Sequence, residues 1–591
     1  LIGLLTLAVY APAVRYDFTT WDDDVNICLN KNLNPVKWDS VLNFWIEPYE
    51  HFYTPVTYTL WAIQAAVSPI VVSPIALNQS TPGPLLFHAT NIFCHLISGL
   101  LVFMILSTLL VELSRDDAVK LSPDLAAAAG TLLFLLHPAQ VEPVVWISGF
   151  RDVLSGLFSF LSLWTYLRYL KSGSRSLYFF SATVFVLALL SKPSSAILPA
   201  IIFLVDVYAV RRRAWLALTE ILPWSFFVIA CVLMNREIQA GVIQFATPLA
   251  MRPFIALDSI AFYLGKLVWP ASLIPNYARK PEWVLDWGYF HLTALIPIAV
   301  FFGLTRLPRA YRRAGLIGFW IFTLVLLPSS GIVPFISQNE STVFDRYLYV
   351  AMLGPAFGLA FVMMRIRSRA ATSLCFAWLI ALALIAGRQR GYWTDTSTLF
   401  SHQLAMDPNS YAAHRGLGLY NMKIKQFDRA REHFESAVRI NPNDQWSRDH
   451  LALAQPNAVE AQQLVEAGVS DARSGNYDEA SRKFEAAVKL DPSNSSAHTD
   501  LGNLYAMKRN YEAALASFKR SIELNPNIPA TYVNLGNALR LKGDQKAAVE
   551  AYTKALKLDP DFEQARRGIE SSFIHSIPGK PSADSATGNG P

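Results

Sequence analysis

The stretch SSAHTDLGNLYAMKRNYEAALASFKRSIELNP, residues 495–526, decides how the second half of the chain folds. Its marks are Leu501, Gly502, Tyr505, Ala514, Phe518 and Pro526, and they return in the next unit as Leu535, Gly536, Ala548, Tyr552, Ala555 and Pro560. Upstream, Gly468, Ala480, Phe484, Ala487 and Pro492 keep the pattern, as do Leu417, Gly418, Ala430, Phe434, Ala437 and Pro442. A period of about 34 residues with small, aromatic and proline positions at fixed offsets predicts stacked helix pairs. Small residues let two helices approach, the aromatic fills the gap to the neighbouring pair, and proline ends the second helix.

These are tetratricopeptide-type units, about four of them, and they predict a superhelix whose concave face takes an extended peptide or protein partner. The stretch from Asp444 to Glu460, with Pro456, interrupts the period, so the first unit is expected to join the preceding domain as a collar. The expected division is 1–390 for a membrane domain, 391–460 for the collar, 461–575 for the array with a capping helix from Glu563 to His575, and 576–591 for a disordered tail rich in Pro, Gly, Ser and Ala.

Before the repeats the sequence changes character. The 591 residues are 52% hydrophobic and 16% charged, with mean hydropathy +0.28, but the long apolar runs all lie before about Gly387. After an opening stretch, Leu1 to Val14, that reads as a truncated first span, candidate spans fall near 84–111, 121–136, 149–170, 176–191, 195–210, 215–234, 289–305, 314–328, 345–364 and 370–387. The fold class is therefore all-α, a polytopic domain of about eleven spans followed by a solenoid. The net charge of +6 sits largely in short loops and reads as topology. A nucleic-acid partner is not expected, and four scattered cysteines predict neither disulfide framework nor zinc site.

Basic short loops mark the cytoplasmic side. They are Lys171 with Arg175, Arg211 to Arg213, Arg306 to Arg313, and Arg365 to Arg369. All four share one side if the moderately apolar 253–270 stretch lies at the interface without crossing. The first loop and the repeats then stand on the outer face; twelve spans with the repeats inside is the alternative.

That first loop carries Trp21, Asp22, Asp23 and Asp24, then Trp38, Trp45, Tyr49, His51, Phe52 and Tyr53. A solvated charge run is the plain explanation of three acids. Against it stand further polar groups at span ends on the same face: His137 and Glu142, Arg151 and Asp152, Lys192, then Asp345, Arg346 and Tyr347. Ionisable groups at such depth are functional candidates, although Arg151 could pair with Asp152, Arg346 with Asp345, and Lys192 could snorkel.

Taken together, Phe18, Trp21, Asp22, Asp23, Ile27 and Asn30, His137, Pro138, Glu142, Trp146, Arg151 to Ser155, Ser191 to Pro193, Asp345 to Tyr347, Tyr349, and Tyr392, Trp393, Leu399 and Phe400 carry a resemblance. The chain resembles bacterial tetratricopeptide-repeat membrane proteins, themselves similar to the transmembrane and tetratricopeptide repeat containing O-mannosyltransferases of the endoplasmic reticulum. The resemblance implies a GT-C glycosyltransferase fold and transfer of a sugar, mannose in the eukaryotic relatives, from a polyprenyl-phosphate donor to Ser or Thr hydroxyls. It implies Asp22 as base with Asp23 orienting it or the acceptor, and Arg346, Lys192 and Arg151 at the donor phosphate. His137, Glu142, Asp345 and Tyr347 are further site candidates. No metal is implied; a divalent ion held by at most two of the three carboxylates is the competing arrangement. Where relatives often carry Tyr-Arg-Pro, this chain has Tyr53, Thr54 and Pro55, which removes one cation. The implied location is a bacterial cytoplasmic membrane with first loop and repeats outside, the endoplasmic reticulum membrane being the alternative. The contrasting function is a non-catalytic membrane scaffold whose repeats recruit partners.

Overall fold

The computed structural model describes residues 1–73, 80–114, 121–239, 247–454 and 456–574, so the expected tail, 576–591, lies outside the described residues. The chain divides into two units, Leu1–Ile424 and Lys425–Pro591.

The first unit is a helical bundle. Among the described residues, five of its helices are long and apolar enough to cross a membrane: Leu85–Ser114, Pro193–Val210, Ala214–Ile238, Arg309–Ser329 and Arg369–Gly391. Two bent pairs bring the number to seven, Pro123–Leu136 with Pro138–Val145 at 54° and Asp345–Ala351 with Leu353–Arg365 at 51°. Shorter apolar helices cover Ile2–Arg15, Arg175–Ser191 and Phe290–Thr305. These helices make the chain a multi-pass membrane protein. The 253–270 stretch forms a single helix, Arg252–Val268, with Ile255, Asp258, Ser259 and Tyr263 buried.

Both bends follow from proline. His137 precedes Pro138, whose ring disfavours helical backbone at the residue before it, and His137 is extended at ψ 132°. Pro355 has no N–H for the carbonyl of Ala351 and its ring crowds that carbonyl, so the helix restarts at Leu353. The bends matter because Glu142 and Arg346 lie beside them.

One element departs from the all-α expectation. Ile70–Val72 and Ser80–Pro82 pair antiparallel, Ile70 opposite Pro82. After the last long helix, Thr396–Met406 and Tyr411–Lys423 complete this unit. They dock on the first loop: Thr20 N–H donates to Thr396 Oγ1 at 2.9 Å, and Trp21 packs edge-on against Phe400 with centroids 6.1 Å apart.

In the second unit, helix pairs repeat. Asn494, Asn510 and Asp544 each cap a helix by accepting the N–H of the residue three further on. A Cβ at Gly468, Gly502 or Gly536 would fall within 2.7 Å of the ring of Phe484, Phe518 or Tyr552 respectively. The sequence pattern therefore reports a real close approach of ring to backbone. The last helix, Glu563–Ile574, follows the array.

Candidate functional site

The three adjacent aspartates have three different environments. Asp23 is buried, and its carboxylate collects four donors: the N–H and hydroxyl of Thr19, both at 3.0 Å, and the N–H and hydroxyl of Ser148, at 2.9 and 2.7 Å. Asp24 is also buried, and its Oδ2 lies 3.2 Å from Lys423 Nζ. Asp22 alone of the three lines the large cavity, and among the described residues no donor is bonded to its side chain. Its φ is +68°, in the left-handed region where Asp and Asn are the side-chain-bearing residues most readily accommodated.

Asp22 is exposed to the cavity, yet the mass of protein around it raises its carboxyl above the ordinary 3.8, opposed by the Arg151 and Arg346 guanidiniums and reinforced by Asp24 and Glu50. Burial pushes Asp23 up to about 7, against the pull of its Ser148 and Thr19 donors.

The cavity measures about 750 Å³ and is lined by Asp22, Arg151, Lys192, Arg346 and Tyr347, among others. Pro193, Ile197, Leu198, Ile201, Val228 and Val232 give it an apolar side. The cations are fixed in different ways. Lys192 is ion-paired with Asp152 and lies 5.2 Å from the Tyr347 ring centroid. Arg346 donates from its side chain to Glu142 Oε1 at 2.5 Å and from its backbone N–H to Glu142 Oε2 at 3.2 Å, with Phe344 3.8 Å from its guanidinium. Arg151 has no carboxylate within ion-pairing distance among the described residues; its guanidinium lies over Phe52 at 5.1 Å and Trp61 at 5.6 Å. The neighbouring pairs envisaged from sequence, Arg151 with Asp152 and Arg346 with Asp345, do not form among the described residues. Residues adjacent on a helix diverge by about 100° and do not face each other.

Four expected site residues stand behind the cavity wall. His137 is fully buried, its Nδ1 accepting the Ala139 N–H and its Nε2 reaching the Leu267 carbonyl at 3.4 Å. Asp345 accepts from the Tyr277 hydroxyl at 2.8 Å. Glu142 serves Arg346, and Asp23 holds the loop. The cavity also recruits Ser148, Ser159 and Ser195, which the sequence reading passed over, and Asp152 and Ser155, which it named without a role at the donor phosphate. Asp152, Ser155 and Ser159 share one helix face, a polar stripe that periodicity could have exposed. Among the described residues no group of three His, Cys, Asp or Glu side chains is placed to hold a metal ion.

Fold and site together define a multi-pass helical membrane protein with a large cavity of mixed charge and a tetratricopeptide repeat region. The tetratricopeptide repeat profile matches residues 411–444, 465–529 and 529–562. The chain is similar to the protein O-mannosyl-transferase TMTC4 of Mus musculus, 28% identical over 192 residues, which is 32% of this chain and 25% of the relative. The match thus spans about a quarter of that relative's length. Among solved structures, a mutant O-GlcNAc transferase of Thermobaculum terrenum matches at 27% identity, TM-score 0.20, over 21% of this chain and 24% of its own. The Yersinia enterocolitica type III secretion chaperone SycD, in complex with a peptide of the translocator YopD, matches at 20% identity, TM-score 0.19, over 20% of this chain and 94% of its own.

Proposed function

We propose that the protein is an integral-membrane glycosyltransferase moving a sugar from a polyprenyl-phosphate donor to Ser or Thr hydroxyls of proteins on the non-cytoplasmic face. The observation that carries this reading is one cavity lined by Asp22, which has no bonded side-chain donor among the described residues, and by Arg151, Lys192 and Arg346. The distant similarity to an O-mannosyl-transferase favours mannose as the sugar.

Asp22 takes the proton of the acceptor hydroxyl while the hydroxyl oxygen bonds to the anomeric carbon. The bond from that carbon to the phosphate oxygen breaks, its electron pair leaves with the lipid phosphate, and direct displacement inverts the anomeric configuration. Arg151, without a carboxylate partner among the described residues, is the first cation to meet the departing charge. Lys192 and Arg346 are already oriented by Asp152 and Glu142 and add donors without reorganising. The apolar side of the cavity suits the first isoprene units of the donor. Asp23 is the scaffold of the loop. The repeats hold the acceptor or a partner protein.

Eleven spans, with first loop and repeats outside a bacterial cytoplasmic membrane, belong to the same reading. The deciding experiment compares glycopeptides of envelope proteins, by mass spectrometry, from cells carrying the wild type or Asp22→Asn. Loss of hydroxyl-linked sugar in the variant supports the reading, and equal glycosylation at equal expression refutes it. A cysteine replacing Ser585 reacts with an impermeant thiol reagent on intact spheroplasts if the repeats are outside.

A further inference from the structure

Asp22 holds a left-handed backbone, φ +68°, in the middle of a short loop. Such a conformation persists where the surroundings over-determine it. Here both flanks are pinned. On the amino side, the Trp21 carbonyl accepts the Trp146 indole N–H at 2.6 Å and the Trp21 ring packs against Phe400. On the carboxyl side, Asp23 is held by Thr19 and Ser148, and Asp24 by Lys423. Two of these pins come from helices that follow the last long apolar helix: Phe400 from Thr396–Met406 and Lys423 from the end of Tyr411–Lys423.

We infer that Lys423 is a positioning residue for Asp22, acting through Asp24, so that the first helix of the repeat region is a working part of the reactive site. The inference rests on the transfer reading above. The Asp24 and Lys423 side chains are only 6% and 3% exposed, which separates this pair from the solvent-screened bridges on the repeat helices. Removing the ammonium leaves a buried carboxylate without that partner, and such a group moves toward water or protonates. Asp24 opens a π-helical turn, Asp24–Cys28, whose last bond runs from Leu29 N–H to the Asp24 carbonyl at 2.7 Å. A shift of Asp24 therefore carries the turn with it and releases the backbone two residues upstream. Asp24 thereby acquires a role distinct from the chemistry of Asp22.

The test uses full-length protein in liposomes, with polyprenyl-phosphate mannose and a Ser/Thr peptide as substrates. Lys423→Met lowers kcat by about 100-fold, the loss expected of a reactive group displaced by roughly 1 Å, while binding of polyprenyl phosphate stays within about twofold. Asp24→Asn gives a similar loss, and the two together lose no more than either alone, because both remove one interaction. The exchange Asp24→Lys with Lys423→Asp recovers at least about tenfold of the loss, which general destabilisation would not do. Lys423→Arg keeps the charge at a different length and serves if Lys423→Met fails to fold: it lowers kcat and leaves donor binding intact. A kcat for Lys423→Met within about twofold of wild type, or a loss confined to donor binding, overturns the inference.

A second readout is independent of activity. In a chain with Cys28, Cys94, Cys231 and Cys375 replaced by Ser, Asp22→Cys is labelled by a charged methanethiosulfonate. Its rate changes more than about threefold on adding Lys423→Met, a change beyond ordinary additivity error. An unchanged rate overturns the positioning role. A wild type that transfers no mannose, with this rate still responding, instead overturns the transfer reading.

Discussion

Ser148 closes both its backbone N–H and its hydroxyl onto one oxygen of Asp23, at 2.9 and 2.7 Å, across 125 residues of sequence. The contact ties the acidic loop to the turn between the Val141–Val145 and Phe150–Ser172 helices. With both hydroxyls and both N–H groups engaged, the Asp23 carboxyl is a structural anchor of the loop.

Asp23→Ala strands four buried donors and destabilises the first unit by about 3 kcal/mol or more. Asp22→Asn leaves stability near wild type, since Asn tolerates the left-handed region. Unfolding midpoints of the two variants in one detergent check the contrast.

The raised carboxyl of Asp23 also sets a pH dependence. Its folded value, about 7, exceeds the ordinary 3.8, so the folded state binds the extra proton between those limits. Stability from this group is fully present below about 4 and is lost as pH rises through about 7. The midpoint difference between wild type and Asp23→Asn, scanned from pH 4 to 8, follows that window; a flat difference contradicts it.

In the proposed transfer, Asp22 takes the proton only when ionised. Because the surrounding protein raises its carboxyl, the acid limb of the kcat/KM profile lies above the ordinary carboxylate range. Arg151→Ala removes a cation that lowers this carboxyl and moves the limb to higher pH, which a pH-rate profile resolves.

Arg151 and Arg346, two of the cavity cations, separate in mutagenesis. Arg151→Ala weakens donor binding by about tenfold with little effect on folding, since no carboxylate is left behind. Arg346→Ala leaves Glu142 buried and unpaired and destabilises by about 3 kcal/mol. Adding Glu142→Gln restores much of that loss. Donor titrations and thermal midpoints distinguish the two classes.

In the repeats, Gly502→Ala sets a methyl 2.7 Å from Phe518 Cε1. Overpacking of this kind destabilises by about 1–3 kcal/mol. Limited proteolysis of the full chain reads the effect as earlier cleavage within 495–526.

The repeats were legible because Gly502 and Phe518, or Gly536 and Tyr552, meet at one fixed short spacing, and a local contact leaves a periodic trace. Length and apolarity likewise marked the helices, and the prolines at 138 and 355 mark their bends. The pairing of the charges was not legible. Lys192 reaches Asp152 over 40 residues and Arg346 reaches Glu142 over 204, and such separations are set by bundle packing, which one sequence does not encode as a pattern. Sequence adjacency also made Asp22, Asp23 and Asp24 look alike. Backbone geometry turns them to a cavity, to a serine and threonine pair, and to a lysine.

The Asp24–Lys423 pair joins residues 399 positions apart. Chains emerge from the ribosome amino end first. The acidic loop is therefore made and inserted long before its lysine exists, and its final geometry waits for the helix at 411–423. A nascent or truncated chain ending short of that helix carries every ionisable group of the cavity yet lacks the last clasp on the loop. Assembly order itself thus leaves the acidic loop unclasped until the helix at 411–423 has been made and docked.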